Sequence, residues 1–332
     1  MTRATVVCGS VAMALLLCSC DRVERSGFIF TYAQEQPAGS LRGQSMEFFE
    51  SELEKRSGGR IHVELYCGGV LGTERELMDL VATGALQGTR GGFFADANPK
   101  FNIITMPFLV DDWDQALRLV NSDFVHGINR GARANGWHVP ATGISQGFRA
   151  HTNNVRPITH PDDLKGLKMR VPPQDVYVRT ALAFGANPQE IPAVEIYQSL
   201  QTGVVDGQDN PPSNIWDYKI HEVSRYLTIT NYATGPDPLL VNLAWYNALP
   251  DDLQVIFDQV SQDAIALSDE LNRREETEFI TRLSEKLEVN FVTGGGLEAF
   301  RDAVLPVYQH YIEQGEITAE ELEAVRAAAR GE

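Results

Sequence analysis

A chain of 332 residues has room for two domains or one large one, and 43% hydrophobic with 22% charged residues is globular composition, which excludes wholesale disorder. The formal charge of −17 and an isoelectric point near 4.8 argue against nucleic-acid binding, because a phosphate-binding face needs clustered Lys and Arg. The acidity leaves the ligand open, since an acidic surface can surround one basic pocket.

The N-terminus starts weakly positive at Arg3 and runs apolar from Val6 to Leu17. That run is too short for a hydrocarbon core needing roughly 20 residues, but it fits the apolar region of a secretory signal. It ends Leu17-Cys18-Ser19-Cys20, which resembles the bacterial lipoprotein cleavage box. The resemblance implies a signal over residues 1–19 and acylation of Cys20 as the first mature residue; a plain signal peptide cut near Cys20 is the alternative. Asp21 stands where some Gram-negative bacteria read an inner-membrane retention signal. The expected location is the periplasm, with the membrane reached only through the lipid, because no later apolar run is long enough to span it. Cys8 and Cys18 leave with the signal and Cys20 carries lipid, so only Cys67 remains. No intrachain disulfide is then available, and Cys67 reads as a buried small apolar residue.

Residues 20–27 read as a polar tether. Phe28 to Tyr32 is a first strand, and Ser40 to Arg56 has helical periodicity stopped by Ser57-Gly58-Gly59. Arg60 to Tyr66 alternates as a strand, and Thr73 to Thr83 is a helix with Thr73 as cap and Glu76 three residues on. This alternation predicts an α/β domain with a largely parallel sheet. Asp112 to Gly136 is a further helical stretch, and Trp137 to Asn153 holds strand-like segments. Lys168 to Val171 is a short strand stopped by Pro172-Pro173, followed by helices over Val176–Phe184 and Ile196–Thr202 and a turn at Gly207. Tyr226 to Tyr246 is rich in strand formers. Pro250 to about Leu287 is one amphipathic pattern without internal Gly or Pro, far above the usual helix length of about 11 to 12 residues. A single helix there would run roughly 50 Å and could brace two lobes; two helices with a kink are the alternative. Thr318 to Arg330 is a charged terminal helix.

Catalytic and cofactor motifs are missing. There is no P-loop, no G-x-G-x-x-G at a helix start and no G-x-S-x-G elbow. Gly91-Gly92 and Gly294-Gly295-Gly296 read as loops. None of the seven histidines stands four residues from another or beside a Cys pair, so a zinc site is not expected. Asp111-Asp112-Asp114 lacks the spacing of a calcium loop and reads as a solvated helix N-terminus. No cofactor or metal is expected.

The informative region runs from Asp163 to Asn210. DLKGLKMRVP (163–172), GANP (185–188), E-x-Y-x-S-L-Q-T-G-V-V-D-G-Q (195–208), DNP (209–211) and EVSRYLT (222–228) follow in order, after SGGRIHVELYCGGVLGTERELMDLVATGAL (57–86) and MPFL (106–109). Together they resemble the DctP-type solute-binding proteins of tripartite ATP-independent periplasmic (TRAP) transporters, over nearly all of the mature chain. The resemblance implies a two-lobed α/β fold of the periplasmic binding protein type, with a central cleft, hinge crossings and a long lobe-spanning helix. It implies no enzymatic activity: a monomer would capture a small organic acid and deliver it to integral-membrane subunits driven by an ion gradient. By position, Arg170 matches the arginine that forms a salt bridge with the ligand carboxylate, Arg149 a second arginine near it, and Asn210 an asparagine that hydrogen-bonds it. Asp209 stands where the family usually has Glu. The family's common His near the first strand has no counterpart between Phe28 and Gln36, which leaves first-lobe contacts open.

The residue chemistry agrees. A guanidinium offers two parallel donors that match a carboxylate, and a strand ending at two prolines fixes its direction. Read without the motif, Arg170 equally suits an ion pair with an acidic neighbour. Trp216, Phe93 and Phe94 are candidate cleft aromatics, each with core packing as its alternative. The expected division is residues 28–146 plus about 236–275 for one lobe, and 147–235 plus about 276–332 for the other. An exported enzyme acting on carboxylates would need a base or nucleophile beside the arginines, and none is evident. A ligand-sensing lipoprotein serving a receptor is not separable from a transport component by sequence.

Overall fold

The computed structural model describes residues 27–91 and 93–332. The expected signal and the lipidation site at Cys20 lie outside them. Among the described residues no helix is long and apolar enough to cross a membrane.

Two mixed sheets organise the chain. Strands β1 (Phe28–Ala33), β2 (Ile61–Tyr66), β3 (Gly88–Arg90), β4 (Trp137–His138) and β5 (Thr142–Ile144) belong to the first. Strands β6 (Ala150–Asn153), β7 (Lys168–Val171), β8 (Asn187–Glu190), β9 (Gly207–Asn210) and β10 (Tyr226–Ile229) belong to the second. The chain then returns to the first sheet with β11 (Pro236–Asn242) and ends in the second with β12 (Glu288–Phe291). The orders are β2-β1-β3-β11-β4, with β5 also on β11, and β12-β10-β6-β9-β7-β8. The sheets are less parallel than the strand-helix alternation predicts. Two of the three strands that arrive from the other sheet, β6 and β11, run against every neighbour they pair with, whereas β12 is parallel to β10. A pattern local to one βα unit does not report such crossings.

The helices are α1 (Leu41–Arg56), α2 (Glu74–Thr83), α3 (Trp113–Val120), α4 (Asp123–Gly131), α5 (Asp175–Ala183), α6 (Ile196–Gln201), α7 (Pro212–Asp217), α8 (Leu243–Ala248), α9 (Asp251–Ser284), α10 (Gly294–Ala303), α11 (Leu305–Glu313) and α12 (Ala319–Arg330). The cap expected from the sequence forms: Thr73 and Glu76 make a reciprocal capping box on α2; the structure adds a second, Thr318 with Glu321 on α12. The stretch expected to be one helix over 112–136 splits into α3 and α4, because Ser122 turns out of helical geometry and caps α4 by accepting from Val125 N. Gly294–Gly296 open α10 instead of forming a loop. A Cβ on Gly296 would stand 2.4 Å from the Thr159 carbonyl oxygen, so close packing explains that glycine. The expected turn at Gly207 is the first residue of β9 for a similar reason, with the Thr152 carbonyl 2.3 Å from where its Cβ would be. The acidic cluster acts at a helix N-terminus: Asp112 accepts from Gln115 N at 2.8 Å, Asp111 pairs with Arg301 and Asp114 with Arg273.

The chain crosses between sheets at 145–149, at 230–235 and along α9, which is one uninterrupted helix of 34 residues. Two α9 carboxylates hold the first crossing. Asp269 accepts from Ile144 N at 2.8 Å, and Glu276 accepts from Trp113 Nε1 at 2.9 Å beside Phe148. The terminal helix packs on α3 and α4, with Arg118 Nε donating to the Ala329 carbonyl and Lys100 paired to Glu321. Residues 305–332 therefore reach back to the 99–131 segment, although sequence groups them with the second lobe.

An aromatic core fills the space between the first sheet, α1 and α9. Phe30 stands 5.0 Å from Phe257 and 4.9 Å from Trp245, and Phe49 stands 5.6 Å from Phe257. Tilted and edge-on rings at these spacings add to the burial of their area. Truncating fully buried Phe257 removes contacts to strand and helix alike. Phe257→Ala is expected to cost about 3–5 kcal/mol in denaturant unfolding; a loss below about 1 kcal/mol would show that the cluster does not tie α9 to the first sheet.

Candidate ligand-binding site

Where the sheets face each other the structure leaves a cleft whose empty space, mouth included, is about 530 Å³. Arg170, Arg149, Asn210 and Phe94 all line it.

Arg170 projects from β7, whose register sets it against Gln208 of β9 and Gln189 of β8. It is 3% exposed. Its Nε donates to the Ile191 carbonyl at 2.6 Å, and among the described residues it forms no salt bridge. Burial pulls its guanidinium down to about 10, an effect that the more distant charges of Asp209, Glu74 and Glu35 only partly offset while Arg149 adds to it. It is still a cation at neutral pH, but one whose lost hydration the protein does not replace with a carboxylate.

Arg149 is the contrasting case. It is buried, its Nε is salt-bridged to Asp209, and its Nη2 donates to the Asp209 carbonyl at 2.6 Å. Burial lowers its proton affinity most, yet the charge and hydrogen bond of Asp209 together with the Tyr232 and Tyr177 hydroxyls outweigh this, so it titrates above the usual range. Its guanidinium lies 4.6 Å from the Tyr177 ring centre. The ion-pair alternative is thus realised at Arg149. Asp209 also accepts from Tyr232 Oη. Asn210, buried on β9, donates to Gln208 Oε1 at 2.5 Å and accepts from Asn214 Nδ2 at 3.3 Å.

The aromatics separate. Phe94 lines the cleft and packs on Phe101 at 5.9 Å. Phe93 lies outside it, under the Arg75 guanidinium at 3.6 Å. Trp216 also lies outside, stacked on His221 at 4.6 Å and packed near Leu41, Leu271 and Phe279. In both, an aromatic face meets a partner inside the protein. Cys67 is half-buried, with its sulfur accepting from Gln34 Nε2 at 3.4 Å.

The first-sheet side contributes residues that sequence reasoning missed: Gln36, Arg42 and Glu74. Arg42 is 3.0 Å from Asp237, an acid that also holds fully buried Arg90. With its amide oxygen facing Arg42, Gln146 accepts from Nη2 at 2.6 Å and Nε at 2.9 Å. Arg42 had a signal: a cation in the first turn of α1, where the helix dipole disfavours it. Glu35 accepts from Glu74 N at 3.0 Å. Burial, with the adjacent Glu74 charge, pushes the Glu35 carboxyl up to about 8, and burial raises Glu74 as well.

Behind the arginines, His151 stacks on Tyr232 at 5.1 Å, with Nδ1 3.2 Å from Thr230 Oγ1. Burial depresses its imidazole from 6.5 to about 4. Between those values the unfolded chain binds a proton that the native state refuses, so this residue's contribution is full above pH 6.5 and declines as pH falls towards 4. Relative to His151→Phe, the parent is expected to lose roughly 3 kcal/mol between pH 7 and pH 4 in denaturant titrations. Parallel pH profiles would mean that the ring protonates in the native state.

The model of bacterial extracellular solute-binding protein family 7, DctP, matches residues 32–314. The C4-dicarboxylate-binding periplasmic protein DctP of Rhodobacter capsulatus is 28% identical over 86% of this chain and 86% of its own. Among solved structures, the sugar acid binding protein of Advenella mimigardefordensis in complex with galactonate is 26% identical, with a TM-score of 0.86 over 92% of this chain and 98% of its own. A TRAP periplasmic solute-binding protein of Polaromonas bound to D-erythronate is 27% identical, with a TM-score of 0.85 over 90% and 98%. With most of its length matched, and with two sheets facing across an arginine-lined cleft, the chain belongs to the DctP family and is the solute-binding component of a TRAP transporter, not an enzyme.

Proposed function

We propose that Arg170 is the anchor for the carboxylate of a small organic acid, held between two lobes that close over it. The observation that carries this reading is a buried guanidinium in the cleft with no carboxylate of the described residues paired to it. A ligand carboxylate would supply the missing charge and accept bidentately from the fork, in surroundings where water screens little. Arg149 holds the neighbouring wall through Asp209 and presents its cationic face to the same space. Asn210 adds a neutral amide and Phe94 an apolar floor.

The three crossings suit hinge closure between the lobes, residues 28–146 plus about 236–275 against 147–235 plus about 276–332, with α9 as the strut and α12 reaching back to α3 and α4. Relatives include a C4-dicarboxylate binder and sugar-acid binders, so the ligand belongs to the carboxylates in the broad sense. Cys20 would carry the lipid that keeps the protein at the membrane beside its transport subunits. The support is the Leu-Cys-Ser-Cys box after an apolar run.

The test is calorimetric titration with a panel of organic acids. At least one acid is expected to bind, and Arg170→Ala should weaken it by a hundredfold or more, the scale of about 3–5 kcal/mol for breaking a buried charge pair. Equal affinity in parent and variant would remove Arg170 from the site.

A further inference from the structure

We infer that the protein carries a second small-molecule site, between α3, α4 and α9 and apart from the cleft, that takes an organic ammonium ion with an apolar body and pairs it with Asp269.

The space has the size of a ligand. A cavity of about 730 Å³ lies between α3, α4, the 139–142 segment and α9, within the roughly 300–1,000 Å³ usual for small-molecule sites. It shares no lining residue with the cleft that holds Arg170. Into it α9 presents Gln262, Ile265, Ala266, Asp269 and Arg273, the three- and four-residue spacing of one helical face. Val120, Val139, Ala141 and Ile265, all buried, make an apolar wall.

Asp269 gives that wall its chemistry. The residue is 4% exposed, and its carboxylate accepts from Ile144 N at 2.8 Å. Among the described residues it forms no salt bridge: the charges it feels, Asp237 and Arg90, are paired with each other. The Thr142 hydroxyl in the same wall is committed to Asn129 Oδ1 at 2.7 Å. A Cβ on Gly143 would stand 2.8 Å from Asp269 Oδ1 and 2.7 Å from Ile265 Cγ2, so glycine is what lets β5 pass beside the carboxylate. Burial pushes the carboxyl up to about 7 against the pull of the Ile144 N–H. An ammonium set against it would donate to the carboxylate and favour its ionised form, while the apolar body covers the aliphatic wall.

The rim does not oppose a cation. Arg273 is salt-bridged to Asp114 and Asp263 to Arg56, and His126 stands 4.0 Å from Asp123. Arg130 and Glu270, exposed and outside any salt bridge among the described residues, carry opposite signs. Exposed charges such as these are screened by water and salt.

Matched probes decide it. Hexylamine, benzylamine and cyclohexylmethylamine would be titrated into the purified protein at pH 8 by saturation-transfer NMR, each against the alcohol of the same skeleton. At that pH Asp269 is ionised and an alkylammonium keeps its proton. At least one amine is expected to bind about tenfold or more tighter than its alcohol. Asp269→Asn keeps an oxygen for Ile144 N and should abolish that margin. Ala266→Trp, at an exposed lining position, fills the space and should weaken the amine about tenfold or more while leaving Asp269 in place. Arg170→Ala should change neither result. Equal binding of amine and alcohol, or binding of no amine at millimolar concentration, overturns the site. So does a margin that persists in Asp269→Asn, or amine affinity unchanged in Ala266→Trp. Loss of the amine in Arg170→Ala places it in the cleft and overturns the site as well. Ala266→Trp decides the matter even where Asp269→Asn fails to fold, and carboxylate capture by Arg170 stands or falls separately.

Discussion

A guanidinium taken out of water and given one carbonyl and no carboxylate is an unfinished interaction. Arg170 is in this state because β7 is central among its neighbours, between β8 and β9, and the paired prolines after Val171 leave the strand no freedom to turn the side chain outward. Its depressed proton affinity measures the same deficit from another side. Desolvation that folding has already imposed would not be imposed again on an anion bound there, as the proposed role of Arg170 requires.

Arg149 shows what a finished interaction looks like a few ångströms along the same wall. Asp209 takes its charge, Tyr232 donates to the same carboxylate, and the His151 ring packs against Tyr232 in neutral form. Such a network is stiff because removing any member leaves a buried charge or dipole exposed to apolar surroundings. That stiffness holds Asn210 and the end of β9 in place beside Arg170. Two arginines with the same chemistry thus stand differently, one paired within the wall and one with no carboxylate of the described residues against it.

The crossings between the sheets are attached to the same elements. The segment 145–149 carries Gln146 and Arg149 into the cleft while Asp269 and Glu276, two turns apart on α9, flank its backbone. Asp269 is buried and pushed up to about 7, so this clamp too is built from a carboxylate that folding has desolvated. A change in the crossing is therefore felt along α9, and α9 is packed into the aromatic core of the first sheet.

Local signals in the chain were enough for the family, most strands, the capping box at Thr73, the position of Arg170 before its prolines and the single long helix, because periodicity, capping and proline restriction act within a few residues of one another. The pairing of charges was beyond them. Asp209 stands 60 residues from Arg149, and Asp237 is more distant still from Arg42 and Arg90; only sheet register and the return of β11 bring these groups together. The same holds for Trp216 and Phe93, whose partners came from packing, and for the glycines at 207 and 296, which answer to a backbone approaching from another segment. The resemblance to the family named Arg170 and Arg149. Tertiary geometry chose which of them stayed free, because an ion pair depends on distance in space and sequence carries only distance along the chain.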